Sequence, residues 1–402
     1  MRGFRQTFGA SFWTANLMLL ASAIFLNRFG QALFGGARIN FFVDSLGLNG
    51  GQVLWLEGIR EVPGLCLMFV AALMMRLPLS SRGAVSVLIM GISYTLYAFV
   101  HSYSALLTVV VVASMGEHMW MPLHSALAMS LSTKDNTGRV LGALTSVGAL
   151  ASLVGMGTLS VVSRYLDALP LNTYYIAGGV VVMVASMLIY RLPKDIGATE
   201  TAQPRLVLRR RYWLYYVLTF LQGSRKQVLN TLGTLFLVEK FGLKIGDISL
   251  LLLVSTVVNM SAGPYVGHLI DRFGERRMVP LSYVLLAFCC VGFATAGSVW
   301  MLMGLLIITK LFVMLGIGLS TYVYRIAPPE ELTPTLSAGI SINHVSSVAM
   351  PLLAGSLLSL VGYEGIFLGT AGLILLSVPF AMALDIETAS VAEAGAPHLA
   401  GR

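Results

Sequence analysis

Four residues in one apolar segment have the types and the spacing needed to recognise an anion inside a membrane. Arg28, Gln31, Gly35 and Arg38 lie at i, i+3, i+7 and i+10 within the apolar run 12–43, so they share one face of a helix. An arginine near the middle of a lipid-spanning helix is costly, and it normally faces a protein interior or a water-filled cavity. A guanidinium holds a carboxylate or phosphate through two parallel hydrogen bonds. This face is therefore a candidate anion site.

Further charged residues interrupt other apolar segments. The positive ones are Arg28, Arg38, Arg60, Arg225, Lys226 and Lys310, and the negative ones are Glu57, Glu61 and Glu117. Ionisable residues at membrane depth are functional candidates, and the surplus of positive charge favours a negatively charged ligand.

Roles follow from these side-chain types. The predicted substrate-binding residues are Arg28, Gln31, Arg225, Lys226, Asn230 and Lys310. Glu117 and His118 are predicted to couple transport to protons, because a buried carboxyl group and an imidazole can both exchange a proton near neutral pH.

Each assignment has a structural alternative. Arg60 with Glu57 and Glu61 is better explained as a self-neutralised cluster than as a substrate site. Arg38 lies close to the end of its helix and could reach water there. Arg28 binds substrate, pairs with Glu117, or does both. His118, His124 and His344 could simply form hydrogen bonds to neighbouring helices.

The composition determines which elements must position these residues. The chain has 402 residues, of which 56% are hydrophobic and 11% are charged, and its mean hydropathy is +0.81. In soluble proteins about a quarter of the residues are charged. The much lower charged fraction of this chain predicts a multi-pass helical membrane protein. The net charge of +8 would fit a nucleic-acid partner, but the placement of the basic residues argues against one, and lipid is the expected surrounding.

Twelve apolar segments are long enough to cross a membrane. They lie at roughly 12–43, 51–75, 84–101, 104–130, 138–163, 173–191, 212–238, 247–270, 278–297, 299–325, 334–360 and 364–384. Most lysines and arginines outside them fall in one set of loops, whereas the opposite set holds Arg164, Lys240 and Lys244. The positive-inside rule predicts that both termini lie in the cytoplasm. The expected location of the protein is the cell (inner) membrane.

The spans divide into two groups of six. Residues 1–191 form a predicted N-terminal six-helix bundle, 192–211 a cytoplasmic central loop, and 212–384 a C-terminal six-helix bundle. The composition of 385–402 predicts a disordered cytoplasmic tail. Phe41–Leu48 resembles Phe236–Leu243 at a shift of 195 residues, which indicates two pseudo-symmetric halves, as in many transporters.

The loop between spans eight and nine carries a family signature. It reads Gly-His-Leu-Ile-Asp-Arg-Phe-Gly-Glu-Arg-Arg over 267–277 and resembles the G-x-L-a-D-r-x-G-r-k/r-x loop of the major facilitator superfamily. The matching gate residues are Gly267, Asp271, Arg272, Gly274, Arg276 and Arg277, together with Leu269. The resemblance implies a twelve-helix fold in which spans one, four, seven and ten line a central cavity. It also implies that the glycines allow tight packing and a turn.

Two departures from the family pattern bear on function. The loop after span two, 75–82, lacks the aspartate, and span five lacks the G-x-x-x-G-P-x-x-G-G signature of proton-drug antiporters. The second absence weakens a drug-efflux assignment.

The predicted function is secondary active transport of a small organic anion by alternating access, with possible proton coupling. The substrate class would be a carboxylate, a sugar acid or a phosphorylated metabolite. The alternative is efflux of amphipathic or drug-like compounds by proton antiport, and a neutral sugar carrier ranks third. An enzyme is not expected, since no catalytic or metal-binding motif is found. No cofactor or metal is predicted, and the protein is expected to be a monomer.

Overall fold

The computed structural model describes residues 12–66, 74, 76–133, 136–165, 169–197 and 208–384. Within them the chain forms helices and turns and no β-strand. A helix satisfies its backbone hydrogen bonds internally, which lipid requires. The predicted tail 385–402, residues 198–207 of the central loop and part of the predicted second span lie outside the described residues.

The helices of the first six predicted spans are α1 to α7. They are α1 (Ala15–Asn40), α2 (Gly50–Arg60), α3 (Val62–Leu65), α4 (Leu79–Tyr97), α5 (Tyr103–Ser130), α6 (Thr137–Tyr165) and α7 (Leu171–Tyr190). A π-helical turn, Phe41–Ser45, continues α1.

The second half begins with a short 3-10 turn, Arg210–Tyr212. The helices that follow are α8 (Trp213–Gln227), α9 (Gly233–Phe241), α10 (Ile245–Phe273), α11 (Glu275–Thr295), α12 (Val299–Met314), α13 (Gly318–Ile326) and α14 (Pro329–Met382). A π-helical segment, Val228–Leu232, joins α8 to α9. Helix α14 bends at Gly362, whose φ is +69°.

Nine helices in the described part of the chain are long and apolar enough to cross a membrane. The last of them, Pro334–Met382, contains the bend at Gly362 and covers two of the predicted spans. The predicted span 51–75 is not one continuous helix, because the chain breaks at Glu61 before Pro63 in the first turn of α3. The predicted span 212–238 is made of α8, the π-helical segment and part of α9 and is not among the nine. The full count of twelve stays a prediction.

The helices pack as two compact units. The first unit holds the described residues up to 197 together with 234–256, and the second holds 208–233 and 257–384.

Small residues let the helices of the first unit approach closely. Helix α7 packs on α1 and α4, and α1 also packs on α6. A side chain added at Gly30 would collide with the backbone of Gly178, and one added at Gly91 would collide with Gly179. Such contacts between small residues are typical of helix association in lipid.

An aromatic cluster fills the first unit. The Phe34 ring stacks on Tyr94 at 4.1 Å between centroids and meets Tyr97 edge-on at 4.8 Å. Tyr175 contacts the same group. The cluster holds α1, α4 and α7 together directly beside the charged residues described below.

Residues 234–256 are anchored to the first unit by polar contacts. The Asn40 amide donates to the Leu243 carbonyl at 2.9 Å, and the Ser160 hydroxyl donates to the Gly246 carbonyl at 3.0 Å. Arg164 and Asp247 form an exposed ion pair at 2.9 Å.

The two copies of the sequence repeat adopt the same turn. Gly47 and Gly242, which are 195 positions apart, have φ of +62° and +64°. The Leu48 amide bonds the Phe42 carbonyl, and the Leu243 amide bonds the equivalent Leu237 carbonyl. The positive φ explains why both copies carry glycine.

The second unit is built around α14. Helix α14 packs on α8 and α11, with Tyr215, Tyr283, Leu286 and Ile374 in the shared core. The Phe293 and Phe367 rings stack at 4.9 Å. Arg225 of α8 lies within this unit beside Tyr283.

Candidate functional site

A buried charge cluster occupies the first unit around the break between α2 and α3. Glu57, which is 1% exposed, pairs with Arg38 at 3.0 Å and with Arg60 at 3.0 Å. Arg60 also contacts Glu61 at 2.9 Å and Glu117 at 3.4 Å. The helix break lets one guanidinium reach carboxylates on both sides of it. The structure therefore places Arg60 in a cluster of ion pairs with three carboxylates, and this cluster extends to Arg38, whose side chain pairs with Glu57.

Glu117 is held by residues other than Arg28. The Tyr94 hydroxyl donates to its carboxylate at 2.6 Å, and Arg60 faces its other oxygen. The alternative in which Arg28 pairs with Glu117 is therefore not what the structure shows. The signal for Tyr94 was absent from the sequence, because a tyrosine in an apolar helix does not reveal which face it occupies.

His118 lies next to the same cluster. Its Nδ1 is within hydrogen-bond distance of the Ser114 hydroxyl and carbonyl, and its Nε2 lies 3.8 Å from Glu61. The Ser114 hydroxyl also bonds the Arg60 carbonyl. His118 thus connects α5 to the chain at the α2–α3 break.

Arg28 lies outside the charge cluster and lines a separate cavity of about 390 Å³ in the first unit. Its side chain is exposed and donates to Gln31 at 3.3 Å, and Gln31 in turn donates to Asn27. No carboxylate among the described residues pairs with Arg28. Trp120 and His124 form part of the wall, with ring centroids 5.8 Å apart.

In the second unit, Arg225 lies beside a cavity, as Arg28 does in the first unit. It is 4% exposed, and no carboxylate in the described part of the chain pairs with it. Its guanidinium lies over the Tyr283 ring, 3.9 Å from the centroid, and Nη1 donates to the Ser377 hydroxyl at 3.4 Å. A cavity of about 250 Å³ lies beside it.

Two of the other predicted substrate-binding residues line that second cavity. Lys226 and Asn230 line it together with Gln222 and Asn343. Lys310, which lies on α12, is not among the residues that line this cavity. Its ammonium group donates a hydrogen bond of 3.1 Å to the Asn230 side chain. The structure thus brings Arg225, Lys226 and Asn230 to one cavity in the second unit, while Arg28 lines a cavity of the first.

The loop after α10 is organised by two acidic residues and one arginine. Arg325 at the end of α13 pairs with Glu275 at 2.7 Å and with Asp271 at 3.5 Å. Glu275 is fully buried, whereas the side chain of Asp271 is 75% exposed. Arg272, Arg276 and Arg277 are exposed as well.

The glycines of this loop differ in what they do. Gly274 has a φ of +77° and lies directly before α11, a conformation that favours glycine. A side chain at Gly267 would meet no atom within 4 Å. The expectation of close packing at Gly267 is therefore not seen, because the surrounding helices leave open space there.

The chain resembles known proteins over different parts of its length. The profile described as Major Facilitator Superfamily matches residues 215–398. Multidrug resistance protein 2 of Bacillus subtilis (strain 168) is 21% identical over 269 residues, which is 62% of this chain and 65% of that protein's length. The chain therefore spans slightly less than two thirds of that relative.

Solved structures match along most of the chain. The nucleoside transporter NupG has a TM-score of 0.74 at 13% identity, covering 92% of this chain and 99% of that one. A bacterial homologue of the human lysosomal transporter Spinster has a TM-score of 0.72 at 12% identity, covering 95% and 98%. The human organic anion transporter MFSD10 has a TM-score of 0.59 at 15% identity, covering 92% and 100%. The second half of the chain therefore matches the major facilitator superfamily, and the fold of nearly the whole chain resembles these transporter structures.

The nine apolar helices and the match over the second half indicate a multi-pass membrane protein. Its fold matches transporters of different solutes, so the likeness in fold alone does not specify a ligand.

Sequence reasoning missed several residues that shape the protein's polar sites. Tyr283 and Ser377 contact Arg225, and Arg325 binds the loop carboxylates. Glu275 offered a usable signal, since an acidic residue in the first turn of a helix is favourable there. The others depend on which helix faces pack together.

Proposed function

We propose that this transporter moves a small organic anion by secondary active transport with alternating access. The observation that carries the proposal is Arg225, a guanidinium at 4% exposure with no carboxylate partner in the described part of the second unit. A buried charge without a counter-charge is unfavourable, so such an arrangement calls for a ligand of opposite sign.

The contacts of Arg225 leave it able to bind an anion. A guanidinium has five N–H donors, and one of them is directed at Ser377 in a long bond of 3.4 Å. The Tyr283 ring supports the flat face of the group and fixes its plane. A planar donor set beside a cavity of about 250 Å³ suits bidentate contact with a carboxylate or phosphate.

The remaining substrate residues are proposed in supporting roles. Lys226 adds positive charge at the same cavity, and Lys310 positions the Asn230 amide through its hydrogen bond. In the first unit, Arg28 lines its own cavity and donates a hydrogen bond to Gln31.

Proton coupling is proposed for the buried cluster of the first unit. Glu57, Glu61 and Glu117 face two guanidinium groups, those of Arg38 and Arg60. The carboxylates outnumber the arginines by one, so one bound proton would neutralise the five groups. Glu117 and His118 are the proposed carriers, because both lie at the edge of the cluster on α5.

The proposed location is the inner membrane of the cell. Both termini of the chain are proposed to lie on the cytoplasmic side of that membrane.

The test is ligand-dependent thermal stabilisation of the purified protein, followed by uptake into proteoliposomes. The panel contains carboxylates, sugar phosphates, neutral sugars and lipophilic cations. A ligand at a hundred times its Kd stabilises a protein by about 2.7 kcal/mol. An anion should stabilise the wild type and fail to stabilise Arg225→Gln. Arg210→Gln, which removes an exposed arginine of the 3-10 turn, is the matched control and should respond as the wild type does.

The alternative function is efflux of amphipathic or drug-like compounds by proton antiport. It is supported by the similarity to a protein named for multidrug resistance. Under this alternative, lipophilic cations would stabilise the wild type and Arg225→Gln equally, and anions would stabilise neither.

A further inference from the structure

The Arg28 cavity differs from the Arg225 cavity in the chemistry of its walls. Leu141, Leu144 and Met156 supply apolar surface, and Trp120 adds an aromatic ring. Its volume of about 390 Å³ falls within the range of small-molecule pockets, which are mostly apolar with a few placed polar groups. The cavity is therefore large enough for an organic body in addition to a charged group.

Three of the four hydroxyl groups in the wall donate to backbone carbonyls of their own helices, and the fourth, that of Ser125, lies 3.4 Å from the His124 Nε2. Thr145 donates to the Leu141 carbonyl at 2.8 Å, Ser152 to the Gly148 carbonyl at 3.0 Å, and Thr256 to the Leu252 carbonyl at 2.8 Å. A hydroxyl has one proton to donate. These hydroxyl oxygens can still accept hydrogen bonds but offer no free donor, so a hydroxyl-rich solute would replace only part of the hydrogen bonds that it loses to water.

The strong donors of the cavity come from two residues. Arg28 is the one permanently charged residue among the described residues that line it, and His124 is the other ionisable one. The His124 Nδ1 lies 3.3 Å from the Trp120 carbonyl and its Nε2 lies 3.4 Å from the Ser125 hydroxyl, which leaves the Arg28 guanidinium as the principal anion contact. One charge beside apolar walls matches a ligand with one anionic group and an apolar remainder.

Gly148 keeps the space around Arg28 open. A Cβ added there would lie 3.4 Å from the Arg28 Cγ and 3.8 Å from its Nε. A methyl group would just fit, whereas a branched side chain would press on the guanidinium stem and occupy part of the cavity. Gly148 is thus a positioning residue for Arg28.

We propose that the Arg28 cavity is a binding site for monoanionic acids with an alkyl or aromatic body. This inference rests on the proposed function, since it specifies which class of organic anion the transporter accepts. It places polyhydroxylated acids and neutral sugars outside the preferred class.

The first experiment compares two six-carbon monoanions, hexanoate and gluconate, which differ in their hydroxyl groups. Stabilisation and inhibition of transport are measured on the full-length protein for acetate, butyrate, hexanoate and gluconate. Each methylene that is buried should tighten binding by about fourfold, so hexanoate should bind more tightly than butyrate and gluconate. Hexyltrimethylammonium, with the same alkyl length and the opposite charge, should bind weakly. Equal binding of hexanoate and gluconate, or of hexanoate and the cation, would overturn the inference.

The second experiment uses a matched pair of glycines on α6. Gly148→Val should weaken hexanoate binding at least tenfold. Gly142→Val makes the same substitution on the same helix where an added Cβ would meet no atom within 4 Å, and it should leave hexanoate binding unchanged. Equal effects of the two substitutions would contradict the assigned site. The wild-type chain-length series decides the inference if Gly148→Val does not fold.

The outcomes separate this inference from the proposed function. If anions bind and Arg225→Gln loses them, but hexanoate has no advantage over gluconate, the proposed function stands and the inference fails. If no anion stabilises the wild type, the proposed function fails and the inference fails with it.

Discussion

The Arg225 guanidinium lies over the Tyr283 ring, 3.9 Å from its centroid, and the tyrosine is itself fully buried. The Tyr283 hydroxyl has no hydrogen-bond partner among the described residues. The ring therefore acts through its π face, and its polar end contributes nothing visible to the fold. This arrangement fixes the plane of the arginine before a ligand arrives, which reduces the conformational entropy lost on binding.

We expect Tyr283→Phe to retain anion binding and to unfold at the same temperature as the wild type or slightly higher. Phenylalanine keeps the π face and removes a buried hydroxyl that lacks a partner. Tyr283→Leu should weaken anion binding, because a desolvated cation–π contact contributes about 2 kcal/mol. Thermal unfolding and ligand titration measure both effects. Tyr265→Leu replaces a tyrosine that is 74% exposed and serves as the control; equal effects of the two leucine substitutions would refute this role of Tyr283.

Glu57 should be essential to the stability of the first unit. Its carboxylate pairs with both Arg38 and Arg60 at 1% exposure. Glu57→Gln removes the carboxylate that pairs with Arg38 and one of the three carboxylates that contact Arg60, and breaking a buried pair typically costs about 3–5 kcal/mol. Arg164→Gln breaks the exposed pair with Asp247, which should cost less than about 1 kcal/mol. Similar losses of unfolding temperature in the two variants would argue against the buried cluster.

Much of this architecture could be predicted from the sequence. Hydropathy alone indicates a multi-pass helical protein, and the loop Gly267–Arg277 indicates the family. The charges within apolar segments identified Arg28 and Arg225, because ionisable residues at membrane depth stand out against their surroundings. The repeat at Gly47 and Gly242 was visible as a sequence shift of 195 and is a repeated turn in the structure.

The partners of the charged residues could not be predicted in the same way. Arg60 meets Glu117 across 57 positions, and Tyr94 meets it across 23. Such contacts depend on the rotation of each helix about its axis, and helices with a nearly uniform apolar surface give little information about that rotation. The break at Glu61 adds to the difficulty, since it redirects the chain in the middle of a predicted span.

The end of the central loop should be attached to α14 through Glu331. The Glu331 carboxylate accepts hydrogen bonds from Arg211 and from the Tyr212 hydroxyl, and Arg209 lies 3.7 Å away. Burial acts to raise the pKa of Glu331, but these hydrogen bonds and the two arginine charges outweigh it and hold the pKa below its ordinary value. The attachment is therefore expected at neutral pH.

We expect Glu331→Gln to increase tryptic cleavage after Arg209, Arg210 and Arg211 at neutral pH, because the loop end loses its ion pairs. A carboxylate with a depressed pKa contributes stability above its unfolded pKa and loses it as the pH falls through the folded value. The difference in unfolding temperature between wild type and Glu331→Gln should thus be constant from pH 8 to about pH 5 and vanish at lower pH. The exposed position limits this difference to less than about 1 kcal/mol. Unchanged cleavage in the variant would exclude the attachment.

Glu275 is expected to matter more than Asp271 for the loop between α10 and α11, although Asp271 is the residue that the family signature identifies. Glu275 is fully buried and bonds the Arg325 Nε at 2.7 Å, whereas Asp271 is 75% exposed and lies 3.5 Å from the same arginine. Water replaces much of what Asp271 supplies, so Asp271→Asn should cost less than about 1 kcal/mol of unfolding free energy. Glu275→Gln removes the buried counter-charge of Arg325 and should cost more, about 1–3 kcal/mol, since that arginine is 40% exposed and can turn towards solvent. Thermal unfolding ranks the two variants, and transport in proteoliposomes shows whether the ranking extends to turnover. A larger loss of stability in Asp271→Asn than in Glu275→Gln would show that the exposed aspartate, and not the buried glutamate, holds Arg325.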